Sequence, residues 1–146
     1  MSSIDHALDA AASIRGAFAV ALVDYESGLT LGSRGGSAEF DLDVAAPGNS
    51  EVVRTKLQVM EQLGLRETIE DILITLDTQY HLIRPIWNRT SDRLFFYLAL
   101  NRAQANLALA RRDLRIITER FYMDDPSAAP FVDRADGGLF TQPTRR

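Results

Sequence analysis

Residues 16–23 (Gly-Ala-Phe-Ala-Val-Ala-Leu-Val) form an uninterrupted apolar run, and it narrows the possible folds more than any other stretch. An amphipathic helix would break such a run every third or fourth residue, and a strand with one wet face would alternate. A short run with neither period fits a strand covered on both faces. Residues 94–100 form a second apolar run. Both runs are far shorter than the roughly 20 residues needed to cross a bilayer, so no membrane insertion is expected.

The flanking segments predict the rest of the fold. Ile4, Ala7, Leu8, Ala11 and Ile14 recur at spacings of three and four, which predicts a helix over residues 3–14 that stops at Arg15-Gly16. Residues 25–28 (Tyr-Glu-Ser-Gly) supply a turn, so residues 17–32 form a hairpin. Residues 33–48 hold several glycines and Pro47 without a sustained period, and a loop is expected there, with Phe40, Leu42 and Val44 tacked down. Asn49 is the expected N-cap of a second helix that runs to Leu63 and ends at Gly64. Residues 69–76 and 79–86 make a second hairpin about Asp77-Thr78, with fraying expected at Pro85. A fifth strand ends at Asn101. Residues 102–121 form a third helix with Ala103, Leu107, Ala110, Leu114, Ile117 and Phe121 toward the sheet.

Two helices carry more apolar surface than one sheet needs. In the second, Val52, Val53, Leu57, Val59, Met60 and Leu63 spread over an arc of roughly 160° at about 100° per residue. Lys56, the only lysine in the chain, divides Val52, Val59 and Leu63 from Val53, Leu57 and Met60. That division predicts a sheet on one side and a partner subunit on the other. In the third helix, Ala105, Leu109 and Ile116 form a second ridge about 200–240° from the first. Beyond Tyr122 the composition changes to a tail rich in Asp, Pro and Gly that retains Phe131, Val132, Leu139 and Phe140. The expected division is a domain over residues 1–122 and a tail over 123–146, partly disordered or folded back on the Leu109/Ile116 ridge.

The chain offers little material for catalysis. It has no cysteine, which removes disulfides, thiol nucleophiles and Cys-ligated metals and makes a reducing, cytoplasmic setting the expectation. Lys56 follows Thr55 and is not flanked as a P-loop lysine must be, so no Walker-type nucleotide site exists. With only His6 and His81, no His-based triad or His-rich metal centre is expected, and His81 is taken as an ordinary strand residue. Glu70, Asp71 and Asp77 are expected to be solvated strand ends. The net charge of −4, from 20 acidic and 16 basic side chains, gives no field that gathers nucleic acid. The arginines of the third helix are expected to form a solvated face with local pairs. No enzyme activity, cofactor or metal is expected.

Several stretches resemble the Roadblock (dynein light chain) family. Residues 21–29 (Ala-Leu-Val-Asp-Tyr-Glu-Ser-Gly-Leu) look like its first hairpin, and residues 72–76 with 80–85 resemble its third and fourth strands in bacterial members. Residues 94–101 followed by 105–110 look like its last strand entering its final helix. The resemblance covers roughly residues 3–121 and consists of apolar positions and turns, with no catalytic signature. It implies an α+β fold in which a five-stranded antiparallel sheet is flanked by helices in the order α-β-β-α-β-β-β-α. It also implies a homodimer whose second helices pair antiparallel and whose third strands join edge to edge, with Val53, Lys56, Leu57, Met60, Ile72 and Ile74 at the interface. In function it implies an adaptor or regulator of a Ras-like small GTPase. Arg54, Gln58 and Glu61 would form the candidate partner surface, and Leu109 and Ile116 are a further candidate. The competing readings are a ligand-sensing domain and a scaffold with no GTPase partner.

Overall fold

The computed structural model describes residues 3–87 and 93–123. All of the expected tail over 123–146 except Met123, and most of the connection before the fifth strand, lie outside those residues. The elements are α1 (Ser3–Ala12), β1 (Ala17–Asp24), β2 (Thr30–Gly35), α2 (Leu42–Gln62), β3 (Ile72–Thr75), β4 (Gln79–Ile86), β5 (Leu94–Asn101) and α3 (Leu107–Met123). The strands form one antiparallel sheet in the order β2-β1-β5-β4-β3. The fold is therefore α+β, with the element order anticipated above.

The strand period of two divides the core. Val20, Leu22, Leu82, Ile86, Phe96 and Leu98 pack under α1 and α3, against Leu8, Ala11, Ala110 and Leu114. Ala19, Ala21, Val23, Ile83, Phe95 and Tyr97 face the other way, toward Leu42, Ala46 and Val53 of α2. The two apolar runs are thus the central strands β1 and β5, buried on both sides as their lack of alternation requires.

Glycine shapes the β1–β2 hairpin at two points. Asp24 closes the turn with its side chain, accepting from the backbone N–H groups of Glu26 and Ser27, while Gly28 takes φ +78° and donates to the Asp24 carbonyl. At the far end Gly35 has φ +76°, and a Cβ there would lie 2.3 Å from the Phe18 carbonyl oxygen, which accepts from Gly36 N–H. Neither the carbonyl nor the φ can adjust without opening the ladder. Gly35→Ala is expected to destabilise the chain by at least about 2 kcal/mol, read as a lowered urea midpoint.

Three expectations are corrected by tertiary structure. Most of the loop over residues 33–48 is absent, because β2 continues to Gly35 and α2 begins at Leu42. Asp41, not Asn49, is the N-cap: its carboxylate accepts from Asp43 N–H at 2.9 Å, with extended φ −82° and ψ 111°. Pro47 sits inside this helix and leaves only an exposed carbonyl turn unbonded, while Leu42, Ala46, Ser50 and Val53 are buried along the sheet-facing stripe. Second, β4 does not fray at Pro85. Leu76 N–H donates to Gln79 C=O, so the odd residues of β4 direct their backbone groups toward β3, and Pro85 falls beyond the last β3–β4 pair, Ile72 with Ile83. Its missing N–H costs no ladder bond. Third, α3 starts at Leu107 because the Asn106 side chain accepts from Leu109 N–H and Ala105 N–H donates to Asn101 C=O. Ala103 is consequently exposed.

Candidate functional site

One flank of α2 and the β4–β3 end of the sheet leave apolar side chains exposed in a single protomer. α2 is laid on the sheet by Leu42, Ala46, Val53 and the half-buried Leu57, over β1 and β2. Its register is pinned on two sides. Arg54 donates to the Tyr25 carbonyl of the β1–β2 turn and pairs with Glu51, and the Asn49 side chain lies near the Tyr97 hydroxyl of β5, where it offsets part of the upward pKa shift. At about 100° per residue, Val52, Lys56, Val59 and Leu63 lie on the Asn49 side. They lie on the flank of α2 that Asn49 turns toward β5. Val52 is 39%, Val59 36% and Leu63 66% exposed, which is unusual for three apolar side chains sharing one helix ridge.

Below that ridge the sheet is only half covered. Ile72 and Ile74 of β3 and His81 of β4 share the α2 face and remain partly exposed. β3 is an edge strand. Because Leu76 bonds inward to Gln79, Leu73 and Thr75 direct their backbone N–H and C=O groups away from β4, toward the open edge. Asp71, just before β3, is held back by Arg111 of α3 through two bonds of 2.9 Å, which places the strand against the domain but leaves its edge free.

A polar and aromatic cluster sits under the uncovered region. His81 Nδ1 lies 3.1 Å from the Tyr97 hydroxyl and Nε2 lies 2.7 Å from Gln79 Oε1. Phe40 stands edge-on to His81 and Phe18 and stacks parallel to Tyr97. Burial lowers the His81 pKa below its ordinary 6.5 and raises that of Tyr97 above 10.0. The imidazole is thus held neutral, as a bridge between two strands. The unfolded chain takes up a proton at His81 before the folded one does, so stability is fully present above pH 6.5 and falls as pH drops through that value. His81→Leu is expected to flatten the part of the stability curve between pH 7 and 5, measured by urea unfolding at a series of pH values.

The residues expected at a dimer interface divide. Lys56, Ile72 and Ile74 are accessible and Leu57 is half-buried, but Val53 is 0% and Met60 8% exposed within one protomer. Within one protomer the helix turns Val53 and Met60 inward, and Val52, Val59 and Leu63 occupy the exposed ridge. Gln58 and Glu61 are exposed and Arg54 half-buried on the opposite flank of α2. Leu109, 43% exposed, and the half-buried Ile116 lie on α3, across the sheet, and do not join them.

Asp71 is not the solvated residue expected. Its side chain is 9% exposed, bridged to Arg111 and 4.0 Å from Arg84, itself 13% exposed. Arg102 donates to the Leu76 carbonyl and covers the Tyr80 ring, so two arginines of the α3 region act at long range. Arg112–Asp113 and Arg115–Glu119 are the local pairs anticipated. Among the described residues no cluster of metal-ligating side chains occurs and no helix is long and apolar enough to cross a membrane.

No protein-family model and no curated protein sequence matches this chain. Solved structures do match its fold. MglB of Myxococcus xanthus superposes with a TM-score of 0.75 at 15% identity, covering 87% of this chain and 90% of that one. A Roadblock/LC7 domain from Streptomyces avermitilis gives 0.67 at 12% identity over 82% and 94%. MglC from Myxococcus xanthus gives 0.52 at 20% identity over 82% and 97%.

Proposed function

We propose that this chain, which has the Roadblock fold, is a homodimeric, non-enzymatic adaptor that binds a Ras-like small GTPase. Two observations support the dimer: the exposed ridge of Val52, Val59 and Leu63 on α2, and the open edge of β3. A second copy related by a two-fold axis completes both at once. Its α2 packs antiparallel on the first, and its β3 pairs through Leu73 and Thr75 to give one continuous sheet. This arrangement removes an edge that would otherwise invite uncontrolled pairing. It also covers Ile72, Ile74 and the His81 cluster. Lys56 lies within the ridge, where its methylene stem covers apolar surface while the ammonium reaches water.

The GTPase assignment draws on the family resemblance and on what the paired helices leave free. Gln58 and Glu61, with the partly buried Arg54, sit on the flank of α2 turned away from the ridge. Two such flanks across a two-fold axis form one polar platform. An adaptor of this kind works by binding one nucleotide state of its partner better than the other, and needs no catalytic group of its own.

The test is capture of partners on the tagged full chain from its native cells, with a GTP analogue or GDP added in parallel, followed by mass spectrometry. A Ras-like GTPase enriched with one nucleotide is the expected result. Its absence under both nucleotides overturns the assignment and leaves a scaffold or ligand-sensing role.

A further inference from the structure

The other face of the molecule carries a second unfinished surface. Between the end of α1 and the first half of α3 run two contiguous depressions of ≈ 200 and ≈ 180 Å³. Ile14 and Asp113 line both, Ile116 and Ile117 line one, and Ala105 and Leu109 the other. Two adjacent depressions lined largely by apolar side chains suit two neighbouring side chains of one segment. Arg15 lines it, is exposed and makes no ion pair among the described residues, while Arg112 neutralises Asp113 at 2.9 Å. The exposed Arg120 lies one helical turn beyond Ile116 on α3.

We infer that this groove is covered by the chain's own C-terminal segment, with Phe131 and Val132 as its anchors. Charge supports that occupant. Residues 124–142 contain four aspartates and one arginine, opposite in sign to Arg15 and Arg120. Reach supports it too. α3 ends at Met123, and Ile116 and Leu109 lie about 10 and 21 Å back along its axis at about 1.5 Å per residue. The eight residues from Asp124 to Phe131 span up to about 26 Å, enough to place Phe131 anywhere along the groove. Tethering supplies an effective concentration in the millimolar range, so two shallow apolar contacts and the charge of Arg15 and Arg120 suffice where a free partner would need a deeper pocket. The segment then closes the α1/α3 face and leaves the α2 face for dimerisation.

The absence of cysteine makes the test clean. Ser13→Cys lines the groove and Asp133→Cys follows the anchors. In the full chain this pair is expected to form an intramolecular disulfide at least ten-fold faster than Gln58→Cys with Asp133→Cys, since Gln58 lies on the opposite face. Equal rates overturn the inference, and so does a link found only between chains, which would make the occupant a second copy's tail. As an independent readout, Phe131→Asp with Val132→Asp in the full chain is expected to speed amide hydrogen exchange several-fold in residues 9–16 and 105–117. Unchanged exchange there also overturns it.

Discussion

Val59→Glu is expected to convert the protein into a folded monomer. Val59 is 36% exposed on the free ridge of α2, so a single protomer accommodates a glutamate there by turning it into water. In the dimer that route is closed. The two-fold axis brings two carboxylates into the same apolar seam, each desolvated, and Lys56 one turn away would have to leave water to pair with either. A loss of at least 100-fold in dimer affinity follows, equivalent to about 2.7 kcal/mol, with helix and strand content unchanged. Sedimentation velocity and far-UV circular dichroism on the same sample separate the two effects. Loss of fold along with the dimer would place Val59 in the core.

Val53→Asp is the counterpart and should behave in the opposite way. Val53 is 0% exposed and packs in the cluster of Ala21, Val23, Phe95 and Ala99. A carboxylate at this point meets the apolar side chains of that cluster. Its cost is expected to exceed about 4 kcal/mol, a large share of the 5–15 kcal/mol that typically holds a domain together. The chain is expected to unfold or to lose most of its denaturant midpoint, whatever its concentration. If instead Val53→Asp left a stable monomer, the inward face of α2 would have been assigned the wrong way round.

That inward face also marks where sequence reasoning stopped. The central strands were legible because residues 17–23 and 94–100 lack any polar interruption, and the β3–β4 turn because Asp77-Thr78 separates two apolar runs. The start of α2 was hidden by Pro47-Gly48, which locally signal a loop. The burial of Leu42, Ala46, Ser50 and Val53 against the sheet outweighs them, and their spacing of four, four and three was the available signal. The apolar arc of α2 implied a neighbour besides the sheet, but its width could not say which half faced the sheet. That depends on the Asn49–Tyr97 contact and the Arg54–Tyr25 bond, which join residues far apart in sequence. For the same reason Asp71 passed for a solvated strand end, although Arg111, forty positions on, holds it at 2.9 Å.

If α2 and β3 form one self-complementary surface, the mass of the intact chain in solution tests it directly. Light scattering on the full protein at micromolar concentration is expected to give the mass of two 16.2 kDa chains, and Val59→Glu that of one. A wild-type mass of one chain across that concentration range would contradict the account.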